Sequence, residues 1–372
     1  MRNKLGISII SIILSLVFTG CNSPTLPKSQ HKIEHIQEHT QSRYKYIQPG
    51  SIPEGNVLWK YRTMNYILSS PAVTTNSVYI ASENGYVYSL DKDNGTLYWK
   101  TRTDSQITGS SPEISADYLY IGNKGGVLNS INTKTGAIAW TYQLGDSITS
   151  TPEVIDNSIY ITSRDNNVYK INKYTQKAEW SYETQGPIDS SPTVSNETVY
   201  FGSYDGHLYA LNTANGTLRW KFKTSGPVNS KPVIKNNTVY FGSLDKNFYA
   251  VDSRYGQLVW KTPLNGLINA AAAYYNGQLF VGDSQGNFYA LNAVNGTINW
   301  SFKTSGSIFA APAVANQVVY VPSGDGNLYA LNTLNGQLKW KFYTSSTVFS
   351  SPVINNGIVY FGAGNGNVYA IK

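Results

Sequence analysis

The single cysteine, Cys21, is the residue with the clearest capacity for covalent chemistry. It follows two basic residues within the first four positions, the apolar segment 5–18 and the small pair Thr19–Gly20. This order is typical of an export signal whose cysteine becomes the lipidated first residue. The apolar segment has 14 residues, fewer than the about 20 that a membrane-spanning helix needs. We therefore predict that residues 1–20 are a lipoprotein signal peptide and that Cys21 carries a lipid.

Three histidines, His31, His35 and His39, recur at every fourth position after the cysteine. On a helix they would share one face, where imidazoles can bind zinc or copper. The surrounding segment is polar and flanked by prolines, which is typical of a linker. We interpret residues 21–51 as a lipid-anchored flexible tether and predict no metal centre in the chain. Metal binding by the three histidines stays an open alternative.

The remaining polar residues form no recognisable catalytic arrangement. His207 adjoins an Asp-Gly turn, where we expect it to be exposed, and no nucleophile is identifiable nearby. The segment 91–95 faintly resembles a calcium loop but lacks the distal glutamate that such loops use. Four aspartates occupy one equivalent hairpin position, which indicates a structural role: Asp165, Asp205, Asp245 and Asp325.

The charge distribution excludes an obvious nucleic-acid interface. The chain has 29 basic and 22 acidic side chains, a formal net charge of +7, without a run of five or more basic residues. Nucleic-acid binding needs a clustered basic stripe interleaved with aromatic residues. We predict protein or membrane partners rather than a nucleic acid.

A strict repeat must position the side chains that follow the tether. The eight tryptophans are spaced by 40 or 41 residues, and prolines and tyrosines follow the same period. A period of about 40 residues with four short apolar runs per repeat is typical of the blades of a β-propeller. The tryptophans are Trp59, Trp99, Trp140, Trp180, Trp220, Trp260, Trp300 and Trp340.

The two ends of the chain predict how the ring closes. The last repeat stops at Lys372, after its third strand, and the first tryptophan lacks the three strands that precede the tryptophan in every other repeat. Pairing the two ends supplies one complete blade and removes the exposed sheet edges. We therefore predict an all-β, eight-bladed propeller of four-stranded blades over residues 52–372. Its ring is closed by an N-terminal strand at residues 55–63 that completes the C-terminal blade.

A motif within the repeats resembles a known family. The segment 210–220 has the pattern A-x-N-x-x-N-G-x-x-x-W, and 250–260, 290–300 and 330–340 match it similarly. This pattern resembles the tryptophan-docking motif A-x-D-x-x-T-G-x-x-x-W of pyrroloquinoline-quinone (PQQ)-type propeller repeats. The resemblance implies that each indole packs against the next blade near a glycine carbonyl. The third repeat departs from the pattern, with Lys170 and Gln176 in place of the alanine and glycine.

The same resemblance raises the possibility of a PQQ-dependent dehydrogenase. Enzymes of that family use a vicinal pair of cysteines against the quinone, carboxylate ligands for Ca²⁺ and a catalytic aspartate. This chain has one cysteine, in the signal region, and many of its acids lie at repeat turns. Its repeat lengths are also nearly constant, whereas the family's enzymes carry long inserts. We predict no catalysis and no cofactor.

An exported, lipid-anchored propeller of these repeats is similar to the BamB-type lipoproteins of outer-membrane β-barrel assembly. The resemblance implies a non-catalytic scaffold that binds envelope proteins, on the periplasmic face of the outer membrane in a Gram-negative cell. The alternative is a cell-surface propeller that binds a glycan, a peptide or a small ligand in its funnel. Family members carry longer docking loops, so no docking residue is carried over.

One variable position within the repeat suggests a binding surface. Three residues before each proline-equivalent position, most repeats have a polar or small residue, but three have Leu68, Phe309 and Phe349. Ring closure would make these three blades adjacent, at the mouth of the funnel. Exposed apolar side chains grouped in this way are typical of a docking surface. We predict that they bind a protein partner; the alternative is that the rings are core.

Overall fold

The computed structural model describes residues 55–372, which form an all-β propeller of eight four-stranded antiparallel blades. Blades 1 to 7 each consist of four consecutive strands, from β2–β5 to β26–β29. Blade 8 combines β30, β31 and β32 with the N-terminal β1. The predicted fold class and ring closure are therefore confirmed. Within the described residues, no helix is long and apolar enough to cross a membrane.

The strands are named in chain order and fall into four concentric positions. The innermost strands are β2 (Ala72–Val73), β6 (Glu113–Ser115), β10 (Glu153–Ile155), β14 (Thr193–Ser195), β18 (Val233–Lys235), β22 (Ala273–Tyr275), β26 (Ala313–Ala315) and β30 (Val353–Asn355). The second strands are β3 (Ser77–Ala81), β7 (Tyr118–Gly122), β11 (Ser158–Thr162), β15 (Thr198–Gly202), β19 (Thr238–Gly242), β23 (Gln278–Gly282), β27 (Val318–Pro322) and β31 (Ile358–Gly362).

The third and fourth positions complete each blade. The third strands are β4 (Tyr86–Asp91), β8 (Val127–Asn132), β12 (Asn167–Asn172), β16 (His207–Asn212), β20 (Asn247–Asp252), β24 (Asn287–Asn292), β28 (Asn327–Asn332) and β32 (Asn367–Ile371). The outermost strands are β5 (Leu97–Arg102), β9 (Ile138–Gln143), β13 (Lys177–Glu183), β17 (Leu218–Lys223), β21 (Leu258–Pro263), β25 (Ile298–Lys303), β29 (Leu338–Tyr343) and, in blade 8, β1 (Val57–Arg62).

Burial follows the position of a strand in its blade. The second strand β15 is buried along its whole length, whereas the outermost β17 alternates exposed and half-buried residues. Strands covered on both faces read as continuous apolar runs, and strands with one wet face alternate. Each apolar cluster spans two adjacent blades, as Phe201 of blade 4 with Tyr160 of blade 3 shows. The core is therefore a ring of interfaces between blades.

A glycine at the end of the second strand allows neighbouring blades to approach closely. A Cβ on Gly202 would lie 2.3 Å from Cγ1 of Val228, which is fully buried where the chain enters blade 5. Real Cβ atoms do not come so close to a side chain, so a larger residue would push the two blades apart. The same contact recurs at Gly242 with Ile268.

Ring closure is made by regular main-chain pairing. β1 pairs antiparallel with β32, and Trp59 lies opposite Ala370. The Asn56 N–H donates to the Lys372 carbonyl and the Lys372 N–H donates back to Asn56, both at 2.8 Å. Trp59 is only 7% exposed and packs in the cluster between blades 8 and 1. The closing strand therefore contributes both hydrogen bonds and core.

Candidate functional site

The eight innermost strands surround a central funnel with a cavity of about 490 Å³ at its mouth. The size is within the range of small-molecule and peptide pockets, about 300–1,000 Å³. All eight residues at the variable position line it, because each lies where the chain enters an innermost strand. They are Leu68, Gly109, Thr149, Asp189, Asn229, Asn269, Phe309 and Phe349.

The structure brings Leu68, Phe309 and Phe349 together on the wall formed by blades 7, 8 and 1. We call these three residues the apolar arc. Phe309 is 40% exposed and Phe349 is half-buried. Their rings are 5.6 Å apart and tilted by 46°, so they form an open V rather than a flat platform. A Cβ on Gly324 would lie 3.1 Å from the Phe349 ring, so glycine leaves room for that ring.

The opposite wall, on blades 3 to 6, is polar. The Thr149 hydroxyl donates to Asp189 at 2.8 Å, and Arg164 pairs with the other oxygen of that carboxylate at 3.1 Å. The Asn229 amide donates to Asn269 Oδ1 at 2.6 Å. Within the described residues, the buried Oδ1 of Asn229 has no hydrogen-bond partner. We call Thr149, Asp189, Asn229 and Asn269 the polar arc.

An ion pair crosses the interior of the ring. Lys231 of blade 5 reaches Glu153 of blade 3, with 2.8 Å between Nζ and Oε2. The two side chains are 21% and 8% exposed. Because each charge has an opposite partner, the Lys231–Glu153 and Arg164–Asp189 pairs leave this part of the funnel without net charge.

A belt of hydrogen bonds links the entries of neighbouring blades at the residue before each proline-equivalent position. The Ser111 N–H donates to Thr151 Oγ1 at 3.2 Å, and the Thr151 N–H donates to Ser191 Oγ at 2.9 Å. The same bond joins Ser70 to Ser111, Ala311 to Ser351 and Ser351 to Ser70. The sequence pattern did not predict this belt, although the position two residues after the apolar arc position carries a hydroxyl in five of the eight blades.

The tryptophans lie at the interfaces between blades. The Trp220 indole N–H donates to the Ser253 carbonyl of blade 5 at 3.1 Å, and a Cβ on Gly256 would lie 2.6 Å from the indole ring. The acceptor is thus three residues before the turn glycine. Five further indoles make the same bond: Trp59, Trp99, Trp180, Trp260 and Trp300.

The two other tryptophans occupy the equivalent places. The Trp340 ring lies against Gly55, where a Cβ would come within 3.3 Å of it. Trp140 packs 5.9 Å from the Tyr120 ring. The equivalent turn of blade 3, the next blade, has Gln176 at a φ of 57°, where most other blades have glycine. This is the repeat that departs from the docking pattern.

The acidic turn residues accept hydrogen bonds from main-chain N–H groups. Asp91 Oδ1 accepts the N–H groups of Asp93 and Asn94, at 2.8 and 2.9 Å. Asp245 accepts the Tyr249 hydroxyl at 2.6 Å and the Ser225 N–H at 3.0 Å. Burial alone would raise the pKa of Asp245, but these hydrogen bonds outweigh it and the pKa is lowered. Residues 55–372 contain no group of His, Cys, Asp and Glu suited to a metal ion.

The prediction that His207 is exposed is wrong. Its side chain is only 14% exposed, because the ring folds back onto the turn. Nδ1 lies 3.2 Å from Asp205 Oδ1, and the imidazole packs 5.8 Å from the Tyr209 ring. The histidine therefore belongs to the hairpin of blade 4. The predicted signal peptide, the lipidation site Cys21 and the histidines His31, His35 and His39 lie outside the described residues.

Two family models match the chain. The model "Outer membrane protein assembly factor BamB" matches residues 48–145 and 83–189. The model "Beta-alanine-activating enzyme, beta-propeller" matches residues 188–372. Each model covers less than half of the chain, and the two meet near the middle of the ring. No curated protein matches the chain in overall sequence.

Solved structures match the whole ring at low identity. The computationally designed protein Ika8 has a TM-score of 0.77 at 18% identity, over 85% of this chain and 99% of that one. BamB from Moraxella catarrhalis has a TM-score of 0.73 at 18% identity, with the same coverage of both chains. A quinohemoprotein alcohol dehydrogenase from Pseudomonas putida HK5 has a TM-score of 0.76 at 15% identity, over 93% of this chain and 82% of that one.

At these identities the structural likeness shows the fold alone, since it includes a designed protein, an assembly factor and an oxidoreductase. The family-model match adds the sequence evidence over the first half of the propeller. The chain is therefore an eight-bladed propeller of PQQ-like repeats that resembles the outer-membrane protein assembly factor BamB.

Proposed function

We propose that this protein is a non-catalytic, lipid-anchored scaffold of the cell envelope that binds partner proteins through its funnel mouth, as an assembly factor similar to BamB. The observation that carries the proposal is the apolar arc. Phe309 keeps 40% of its surface exposed beside Phe349 and Leu68, on three adjacent blades. Exposed aromatic side chains grouped in a concave surface are typical of protein-binding anchors.

The chemistry of the funnel supports a scaffold over a PQQ-dependent dehydrogenase. Calcium needs six to eight oxygen ligands, among them several carboxylates. The carboxylate that lines the mouth, Asp189, already accepts hydrogen bonds from Thr149 and Arg164. Glu153 of blade 3 is held by Lys231. These residues do not fit a calcium–quinone site, and we derive no reaction from them.

A second candidate function is a cell-surface propeller that binds a glycan, a peptide or a small ligand in the funnel. The cavity of about 490 Å³ and the polar arc favour it. The two candidates share a binding surface and differ in the ligand. Both place the function in the mouth of the ring and require no catalytic residue.

Replacing both aromatic residues of the arc, Phe309→Ser with Phe349→Ser, tests the scaffold proposal. We expect cross-linked envelope partners recovered with the intact protein to be lost. Aromatic anchors of this type often contribute ~2 kcal/mol or more each to binding. The measurement is quantitative mass spectrometry of the partners, beside a thermal melt of each variant.

The matched control is Tyr255→Ser, which removes a 63% exposed aromatic ring far from the funnel. It should leave both recovery and melting unchanged. A melting temperature of the double variant that falls by many degrees would show that the rings are core. A stable double variant that recovers every partner would refute the docking surface.

Lipid anchoring through Cys21 is tested by Cys21→Ser. We expect the variant to move from the detergent phase to the aqueous phase, or to persist as a precursor, because no thioether can form with serine. Phase partitioning and the intact mass of the mature chain measure this. Asn22→Ala serves as the control. Unchanged detergent partitioning of Cys21→Ser at a normal mature mass would contradict lipidation.

A further inference from the structure

The hydrogen-bond belt around the funnel has a gap. In five blades the N–H of the residue before the proline-equivalent position donates to a hydroxyl of the next blade. In the other three blades the acceptor position of the next blade has no hydroxyl. It is Lys231 for the Ser191 N–H, Ala271 for the Lys231 N–H and Ala311 for the Ala271 N–H. Within the described residues, these three N–H groups therefore have no hydroxyl acceptor. All four residues line the cavity.

The gap and the polar arc occupy the same side of the funnel. Ser191, Lys231 and Ala271 belong to blades 4, 5 and 6, which also carry Asp189, Asn229 and Asn269. This wall therefore has three main-chain N–H groups that the belt does not pair. Beside them, the buried Oδ1 of Asn229 has no hydrogen-bond partner among the described residues. Buried polar groups are normally paired, and free ones at a cavity wall favour a ligand with matching groups.

The opposite wall requires an apolar group on the same ligand. Phe309 and Phe349 pack against each other at 5.6 Å, and Phe309, 40% exposed, offers an apolar surface to the funnel. The charged side chains here are already paired, so the ligand is uncharged at this point.

We propose that the funnel binds a short, uncharged peptide segment of a partner protein in extended conformation. One apolar side chain packs on the exposed side of Phe309, beside Phe349. The carbonyl oxygens of the peptide accept the N–H groups of Ser191, Lys231 and Ala271. Extended peptides recognised through main-chain hydrogen bonds and one side-chain pocket use the same chemistry. The inference rests on the proposed function and specifies the partner's contact.

The test fills the gap with the missing hydroxyls, in Ala271→Ser combined with Ala311→Ser. The probe is an acetylated and amidated peptide, Gly-Ser-X-Ser-Gly, in which X is 4-fluorophenylalanine, followed by ¹⁹F NMR against the detergent-solubilised full-length protein. We expect saturable binding to the intact protein and binding weaker by roughly fivefold for each hydrogen bond competed away. Ala214→Ser makes the same chemical change on an exposed turn and should leave binding unchanged.

The other outcomes separate this inference from the proposed function. Binding of methyl glucoside or maltose in place of the peptide, lost in Phe309→Ser, would replace the peptide with a glycan. Peptide binding that is unaffected by the serine pair would refute the role of the gap. Partners recovered equally by the intact and serine-pair proteins, without any peptide binding, would overturn the inference and leave the scaffold intact. Failure of the intact protein to recover partners would overturn the proposed function itself.

Discussion

Deleting residues 1–63 is expected to destabilise the propeller far more than any single substitution. The deletion removes β1, which pairs with β32 from Val57–Ile371 to Arg62–Asn367. It also removes Trp59, which is 7% exposed. Loss of one buried tryptophan costs about 3–5 kcal/mol, and the unpaired edge of β32 adds lost hydrogen bonds and a template for aggregation. We expect a lower melting temperature, a broader transition and a concentration-dependent oligomer.

The matched control is deletion of residues 1–50, which keeps β1 and its pairing with the last strand. It should melt at the temperature of the intact chain, measured by circular dichroism with sedimentation to detect association. A chain lacking residues 1–63 that melted like this control would show that closure contributes little. The comparison separates the closing strand from the rest of the N-terminal region.

Much of this architecture could be predicted because it depends on local periodicity. The spacing of the tryptophans fixes the length of a blade, and Lys372 ends the chain one strand short of a complete repeat. The missing strand is therefore predicted at residues 55–63, and in the structure it is β1 (Val57–Arg62). A repeat constrains its own geometry, since every blade must meet its neighbour in the same way.

The interior of the funnel could not be predicted in the same way. Lys231 and Glu153 are 78 residues apart in sequence and meet across the ring. Their residue types are also those of an ordinary solvated surface, and only the fold brings them together. The expected exposure of His207 failed for a related reason, because a position beside a turn does not reveal that the ring folds back onto Asp205. Contacts across a ring depend on curvature, which the repeat pattern does not encode.

The gap in the belt illustrates what the sequence does contain once the fold is known. Ala271 and Ala311 replace a hydroxyl residue without changing a single main-chain hydrogen bond within a blade. In sequence they are conservative changes at half-buried positions. In the funnel they free N–H donors on one wall, opposite the apolar arc. Function in a repeat protein therefore concentrates where equivalent positions stop being equivalent.

Trp220→Ala is the substitution for which we expect the largest loss of stability among the inter-blade contacts. The indole lies on Gly256 of blade 5, donates to the Ser253 carbonyl at 3.1 Å and packs 5.8 Å from the Tyr200 ring. Its removal leaves a void between two blades, and a glycine turn is a poor filler of that space. We expect a loss of about 3–5 kcal/mol, measured by urea unfolding with the m-value unchanged.

Two further variants identify the origin of that loss. Trp220→Phe keeps an aromatic ring and removes the indole N–H, so it should cost less than Trp220→Ala, by the packing that it retains. Tyr255→Ala, on the adjacent turn, removes a ring that is 63% exposed and should change stability by less than about 0.5 kcal/mol. Equal effects of the alanine and phenylalanine variants would assign the stabilisation to the hydrogen bond. Among the described residues, six blades repeat this bond. A loss confined to one interface would therefore also show how far the ring unfolds as one unit.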